Sequence, residues 1–84
     1  MNFQEVENII KAKLEDAQIS INDLTGTKDH LGITIISDAF EGKGLLQQHR
    51  MIMDILKEKL KDELHAVQLK TLTFAKAKEK GIEI

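Results

Sequence analysis

The spacing of apolar residues along the chain predicts three helices. Between residues 2 and 17, apolar side chains recur every three or four positions, as they do along one face of a helix. A second apolar stripe over residues 45–61 predicts a longer helix, with these residues on one face: Leu45, His49, Ile52, Leu56 and Leu60. A short last helix is expected over residues 74–80, because Thr73 can cap its start and Gly81 can end it.

Alternating apolar and polar residues predict three short strands. Ile19 and Ile21 mark the first strand, residues 30–37 the second, and Val67 and Leu69 the third. The second strand places three apolar side chains on one face: Leu31, Ile33 and Ile35. The first two strands are predicted to form an antiparallel hairpin, and the helix between the second and third favours a parallel pair. The sequence therefore predicts an α+β fold of order α-β-β-α-β-α, with a three-stranded mixed sheet and helices packed on it.

Length and composition indicate a single domain over residues 1–84. Hydrophobic residues make up 42% of the chain and charged residues 31%, a balance typical of folded proteins. Cysteine is absent, which excludes disulfides and thiolate metal ligands and fits a reducing compartment. No apolar run approaches the roughly 20 residues that span a bilayer, and the first residues do not resemble a signal peptide. We therefore expect a cytoplasmic protein that makes no use of a membrane.

The charge balance argues against a strongly basic nucleic-acid clamp. The chain has 12 lysine and arginine residues against 14 aspartate and glutamate residues, a net charge of −2, although a local basic patch remains open. A Gly-Lys-Gly segment over residues 42–44 precedes the long helix, whose first amides could receive an anion. A flexible turn into the helix is the simpler interpretation. Lys43 and Arg50 are the best candidates for contacting DNA, within a helix region from Gly42 to Lys61.

The three histidines are candidate metal ligands, but their spacing along the chain matches no known metal-binding motif. His49 is expected to be a buried imidazole held by a hydrogen bond, because it lies on the apolar stripe. His30 and His65 each stand at the start of a predicted strand, so they could act as ligands if the fold brings them together. No catalytic constellation is visible, and we expect that the protein is not an enzyme.

Two longer segments of the sequence and one short segment resemble the BolA family. Residues 36–50 follow a pattern of a strand ending in S-x-x-F-x-G-K and then a helix carrying His-Arg. Residues 64–71 resemble the third strand that is the family's hallmark, apolar-His-Ala-apolar-x-apolar-Lys-Thr, and Asp29-His30-Leu31 resembles the start of the second strand in many bacterial members. Gln48 stands where many members have arginine. The resemblance implies a fold similar to class II KH domains.

The resemblance also implies two functions. The first is partnership with a monothiol glutaredoxin and its glutathione, in which a [2Fe–2S] cluster is shared or transferred in iron–sulfur trafficking or iron and stress regulation. The second is a DNA-binding regulator of transcription, stress response and cell shape, and a metal-free adaptor remains a third interpretation. The first predicts His65 as a cluster ligand and His30 as a weaker second ligand, since the loop over residues 25–29 lacks the usual His or Cys. Without cysteine the chain cannot hold a cluster alone, and we expect a monomer when no cluster is bound.

Overall fold

A computed structural model describes residues 3–24, 30–57 and 67–82. Within these residues, three α-helices and three strands follow one another in the predicted order: α1 (Phe3–Lys13), β1 (Gln18–Asp23), β2 (Leu31–Ile36), α2 (Leu45–Leu56), β3 (Val67–Leu72) and α3 (Phe74–Glu79). A single 3₁₀ turn, Asp38–Phe40, lies between β2 and α2. The α+β class is thus confirmed, while the likeness to class II KH domains stays a prediction. None of the described helices is long and apolar enough to cross a membrane.

The sheet has the order β1-β2-β3 and is mixed, as the crossover between β2 and β3 predicts. β1 runs antiparallel to β2, with Gln18 opposite Ile36. β2 runs parallel to β3, and the two strands begin together because Leu31 lies opposite Val67. They also end together, since Ile36 lies opposite Leu72. The two parallel strands therefore begin at one end of the sheet and finish at the other.

The core lies between one face of the sheet and the first two helices. The predicted inner face of β2 is confirmed, since its three apolar side chains are buried against α1 and α2 in one cluster, whose most buried members are Val6, Ile10, Leu31, Ile33, Ile35, Phe40, Ile52 and Leu56. Ile36 lies on the other face, where it packs with Leu72 of β3 and Ala77 of α3. Because side chains alternate between the two faces of β2, this one strand contributes to both hydrophobic clusters.

The last helix begins and ends as its sequence predicts. The hydroxyl of Thr73 accepts a hydrogen bond from the Lys76 N–H at 3.1 Å, and Gly81 adopts a φ of +69° after the final turn. A left-handed residue at this position is the usual helix stop. The third strand continues beyond Val67 and Leu69, the two residues that mark it in the sequence, and ends at Leu72, next to this cap.

Two helix predictions need correction. α1 ends at Lys13 rather than at residue 17, because Leu14 to Ala17 form a turn that buries both of these apolar residues and leaves Asp16 beside the start of the 3₁₀ turn. The periodicity predicts Leu45 on the buried stripe of α2, yet its side chain is 63% exposed. The core-facing part of this helix is its second half, because the first turn lies over a groove beside α3 instead. The predicted extension of α2 to residue 61 falls outside the described residues.

Candidate functional site

His30 lies at the start of β2 with its side chain exposed to solvent. Its backbone is fixed, since the His30 carbonyl accepts a hydrogen bond from the Leu24 N–H at 2.8 Å across the hairpin. An exposed imidazole on a tethered backbone suits a ligand that must reach a group on another molecule. His65 lies outside the described residues, two positions before Val67, where β3 begins.

The described residues do not contain a complete metal centre. No group of three or more His, Cys, Asp or Glu side chains lies close enough together in residues 3–24, 30–57 and 67–82 to hold a metal ion. The chain has no cysteine to supply a thiolate. The described residues therefore offer imidazole and carboxylate side chains but no thiolate.

The structure overturns the expected hydrogen bond of His49. The residue is half-buried on α2, and its Nε2 is buried without a hydrogen-bond partner among the described residues. Its neighbours one turn away on the helix, Leu45 and Ile52, offer only apolar atoms. His49 therefore packs as part of the helix interface and makes no directional contact there.

Lys43 and Arg50, the predicted DNA contacts, lie on one shallow groove. The groove has a volume of about 390 Å³ and is lined by the loop before α2 and the first turns of that helix. Asp54 lines it as well and places a carboxylate beside the two cations. The structure thus brings the two predicted residues together, on a surface whose positive charge is partly offset.

Gln48 organises the loop between β2 and α2, a role that the sequence did not reveal. Its Oε1 accepts a hydrogen bond from the Thr71 hydroxyl at 2.7 Å. Its Nε2 donates to the Lys43 carbonyl at 2.8 Å and to the Phe40 carbonyl at 3.4 Å. One side chain therefore ties the Gly-Lys-Gly loop to β3. The sequence signal is weak: Thr71 stands near the end of β3, at a position where the alternation calls for an apolar residue.

Asp16 holds the other end of the same loop. The Ser37 hydroxyl donates to Asp16 Oδ1 at 2.6 Å, and the Asp38 N–H donates to Asp16 Oδ2 at 2.9 Å. These bonds, that of the hydroxyl foremost, lower the pKa of the Asp16 carboxyl because they favour its charged form. Asp38 Oδ1 in turn lies 3.4 Å from the Phe74 N–H at the start of α3. The turn after β2 is thus fastened to the turn between α1 and β1 and to the start of α3.

Comparison with known proteins identifies the family of this small α+β domain. A family model described as BolA-like protein matches residues 3–76. The chain therefore belongs to the BolA-like family, which confirms the resemblance seen in its sequence.

Three relatives show how close the similarity is. A BolA-like hypothetical protein from Rickettsia prowazekii is 34% identical over 74 residues, which cover 88% of this chain and 96% of that one, and its solved structure superposes with a TM-score of 0.71. The BolA domain of SufE1 from Arabidopsis thaliana has a TM-score of 0.75 at 28% identity, covering 89% of this chain and 96% of that domain. The DNA-binding transcriptional regulator BolA of Escherichia coli is 40% identical over 49 residues, which cover 58% of this chain and 47% of the regulator.

Proposed function

We propose that this protein is a partner of a monothiol glutaredoxin and shares or transfers a [2Fe–2S] cluster with it. Family membership supports the proposal, and so does the composition of the chain. A [2Fe–2S] cluster takes four ligands, usually thiolates, and two imidazoles are tolerated on one iron. A chain with three histidines and no cysteine can supply imidazole only, so the thiolates have to belong to the glutaredoxin and its glutathione.

The observation that carries the proposal is the common starting point of β2 and β3. Leu31 and Val67 are paired across the two parallel strands. His30 immediately precedes the first of these residues, and His65 stands two positions before the second. His30 therefore lies at the end of the sheet where both strands begin, and along the sequence His65 is only two positions from the start of β3. Two imidazole ligands on one iron would have to converge, and this spacing supports that proposal.

The experiment is reconstitution of the complex from its parts. The purified chain is mixed with a monothiol glutaredoxin, glutathione and [2Fe–2S] cluster, and the mixture is separated by size with detection in the visible range. We expect a coloured heterodimer that forms only when glutathione is present. A cluster that stays entirely on the glutaredoxin, with this chain eluting alone and colourless, would contradict the proposal. A colourless heterodimer would favour the metal-free adaptor.

A DNA-binding regulator is the second candidate, and one specific observation favours it. Lys43 and Arg50 lie on a single groove, where both could contact the phosphates of one backbone. The relative from Escherichia coli is named as a DNA-binding transcriptional regulator. This candidate ranks second because Asp54 shares the groove and the whole chain carries a net charge of −2.

A further inference from the structure

A second, larger groove lies at the end of the sheet where β2 and β3 finish. It has a volume of about 620 Å³, and its walls come from the loop before α2, the first turn of α2 and the helix α3. Thr71 and Leu72, both nearly buried, form its floor. A six-residue strand separates this end of β2 from His30, which corresponds to roughly 20 Å. The groove therefore remains accessible when a partner occupies the histidine end.

The groove is positively charged on a protein that is acidic as a whole. Lys43 from the loop, Lys76 from α3 and Lys80 just after α3 line it, opposed by Glu41 alone among its lining residues. Lys76 also lies 3.9 Å from Glu79, but both side chains are largely exposed, and such pairs contribute little. Three cations on two separate elements thus face one cavity, which is the pattern that recognises a partner of opposite charge.

The groove also has an apolar wall. Leu45 lines it and is 63% exposed. Burial of an apolar side chain of this size is favourable, but the core does not cover it here. The described residues place no exposed aromatic ring in the groove, since Phe40 is fully buried, so there is no platform for base stacking. An apolar contact surrounded by charged groups is typical of a site for a protein segment.

We propose that this groove binds an acidic peptide segment of a partner protein, with carboxylates facing the three lysines and one apolar side chain packed on Leu45. The site is separate from the cluster-sharing end and does not depend on cluster binding. It would allow the protein to hold a recipient or regulatory partner while its histidine end is engaged.

The test is a titration of the full chain against a fluorescein-labelled peptide of aspartate and glutamate with one central leucine. We expect saturable binding that weakens about fivefold to tenfold in Lys76→Glu and in Lys80→Glu. Lys78→Glu makes the same charge change on the same helix, outside the groove, and should bind like the wild type. Leu45→Ser should weaken binding, whereas Leu46→Ser, at a neighbour that is also exposed but does not line the groove, should not. All five changes are at exposed positions, and thermal melts verify that each variant folds.

Three outcomes would overturn the proposal. The first is the absence of saturable binding up to about 1 mM peptide. The second is equal weakening in Lys76→Glu and Lys78→Glu, which would show only general attraction between opposite charges. The third is displacement of the peptide from the groove by an equal concentration of a DNA oligonucleotide of the same charge, which would assign the groove to nucleic acid.

Discussion

The carboxylate of Asp16 fastens the turn after β2 to the segment between α1 and β1. Its two hydrogen-bond donors, the Ser37 hydroxyl and the Asp38 N–H, lie at 2.6 and 2.9 Å. Both contacts favour the ionised form, and they lower the pKa of Asp16 in the folded state. The fold is therefore stabilised by the charge of Asp16 at pH values above the pKa of the unfolded chain, and this stabilisation is lost as the pH falls through the lower, folded-state pKa.

Asp16→Asn should make the stability of the fold less sensitive to acid. We expect the wild type to lose Tm progressively below about pH 4, and the variant to start from a lower Tm at neutral pH and lose less over the same range. Glu15→Gln, a change at the adjacent exposed carboxyl, serves as the control and should retain the wild-type slope. Thermal unfolding across a pH series measures this, and parallel curves for wild type and Asp16→Asn would contradict the assignment.

His49 carries a buried nitrogen without a hydrogen-bond partner among the described residues. Leaving a polar group buried and unpaired costs about 1–3 kcal/mol, so removal of that nitrogen at similar volume should help. We expect His49→Leu to raise the free energy of unfolding by roughly 1 kcal/mol, while His49→Ala lowers it by about 1–3 kcal/mol because it leaves a cavity.

Urea unfolding of the two variants measures these changes, and visible spectra of the reconstituted complex measure cluster sharing. Both variants should still share cluster wherever they fold. Unchanged stability together with lost colour would show that His49 is a ligand and would contradict its packing role.

At the scale of the elements, Gln48 connects the loop before α2 to β3. Gln48→Ala removes its bonds to the Thr71 hydroxyl and the Lys43 carbonyl and leaves the nearly buried Thr71 without that acceptor. We expect a loss of about 1–2 kcal/mol in the free energy of unfolding. Gln47→Ala is the control, because the Gln47 side chain only accepts a 3.3 Å bond from the Gly44 N–H, and it should cost less than about 0.5 kcal/mol. Equal losses in the two variants would show that the bridge to β3 contributes nothing.

Local patterns predict most features of the helices and strands, because these depend on neighbours in sequence. The Thr73 cap, the Gly81 stop and the two faces of β2 are all set within a few residues, and each prediction is confirmed. The parallel pairing of β2 with β3 followed from a general rule of connection. The segments that resemble the BolA family indicate His30 and His65 as candidate ligands, and that role stays a prediction.

The features that the sequence did not predict correctly depend on tertiary contacts. Leu45 fits the periodicity of a buried face, but the first turn of α2 extends beyond the sheet and α1, so the residue is exposed. The predicted hydrogen bond of His49 required a polar neighbour, and only packing decides whether one is present. The bonds of Gln48 and Asp16 join residues more than 20 positions apart, and no local pattern predicts such pairs.

At the scale of the whole molecule, charge limits what DNA binding can achieve. The net charge is −2, and Lys43 and Arg50 share their groove with Asp54. We expect weak binding to duplex DNA that falls steeply with salt, with a slope of about −2 in log K against log salt if both cations contact phosphates. Lys43→Ala combined with Arg50→Ala should abolish that slope, whereas Lys13→Ala on α1 should not. Tight, sequence-selective binding by the isolated chain at physiological salt would promote the regulator to first candidate.

The central claim is that the chain contributes imidazole to a cluster held jointly with a glutaredoxin, from the end of the sheet where β2 and β3 begin. His65 is the expected ligand and His30 a weaker second, since His30 only lies closest to the position of the usual loop ligand. Neutral imidazole binds iron well, and nitrogen bound to a paramagnetic cluster gives a characteristic coupling in pulsed electron paramagnetic resonance. His49→Leu provides the matched control, because it removes a histidine from elsewhere in the same chain.

The most direct measurement is that nitrogen coupling in the reduced, reconstituted heterodimer, recorded for the wild type, His65→Ala, His30→Ala and His49→Leu. We predict strong coupling in the wild type and in His49→Leu, a partial loss in His30→Ala, and near-complete loss in His65→Ala, with the visible circular dichroism changing in the same order. Nitrogen coupling that persists undiminished in His65→Ala and in His30→Ala would contradict the account, because neither imidazole at this end of the sheet would then be a ligand.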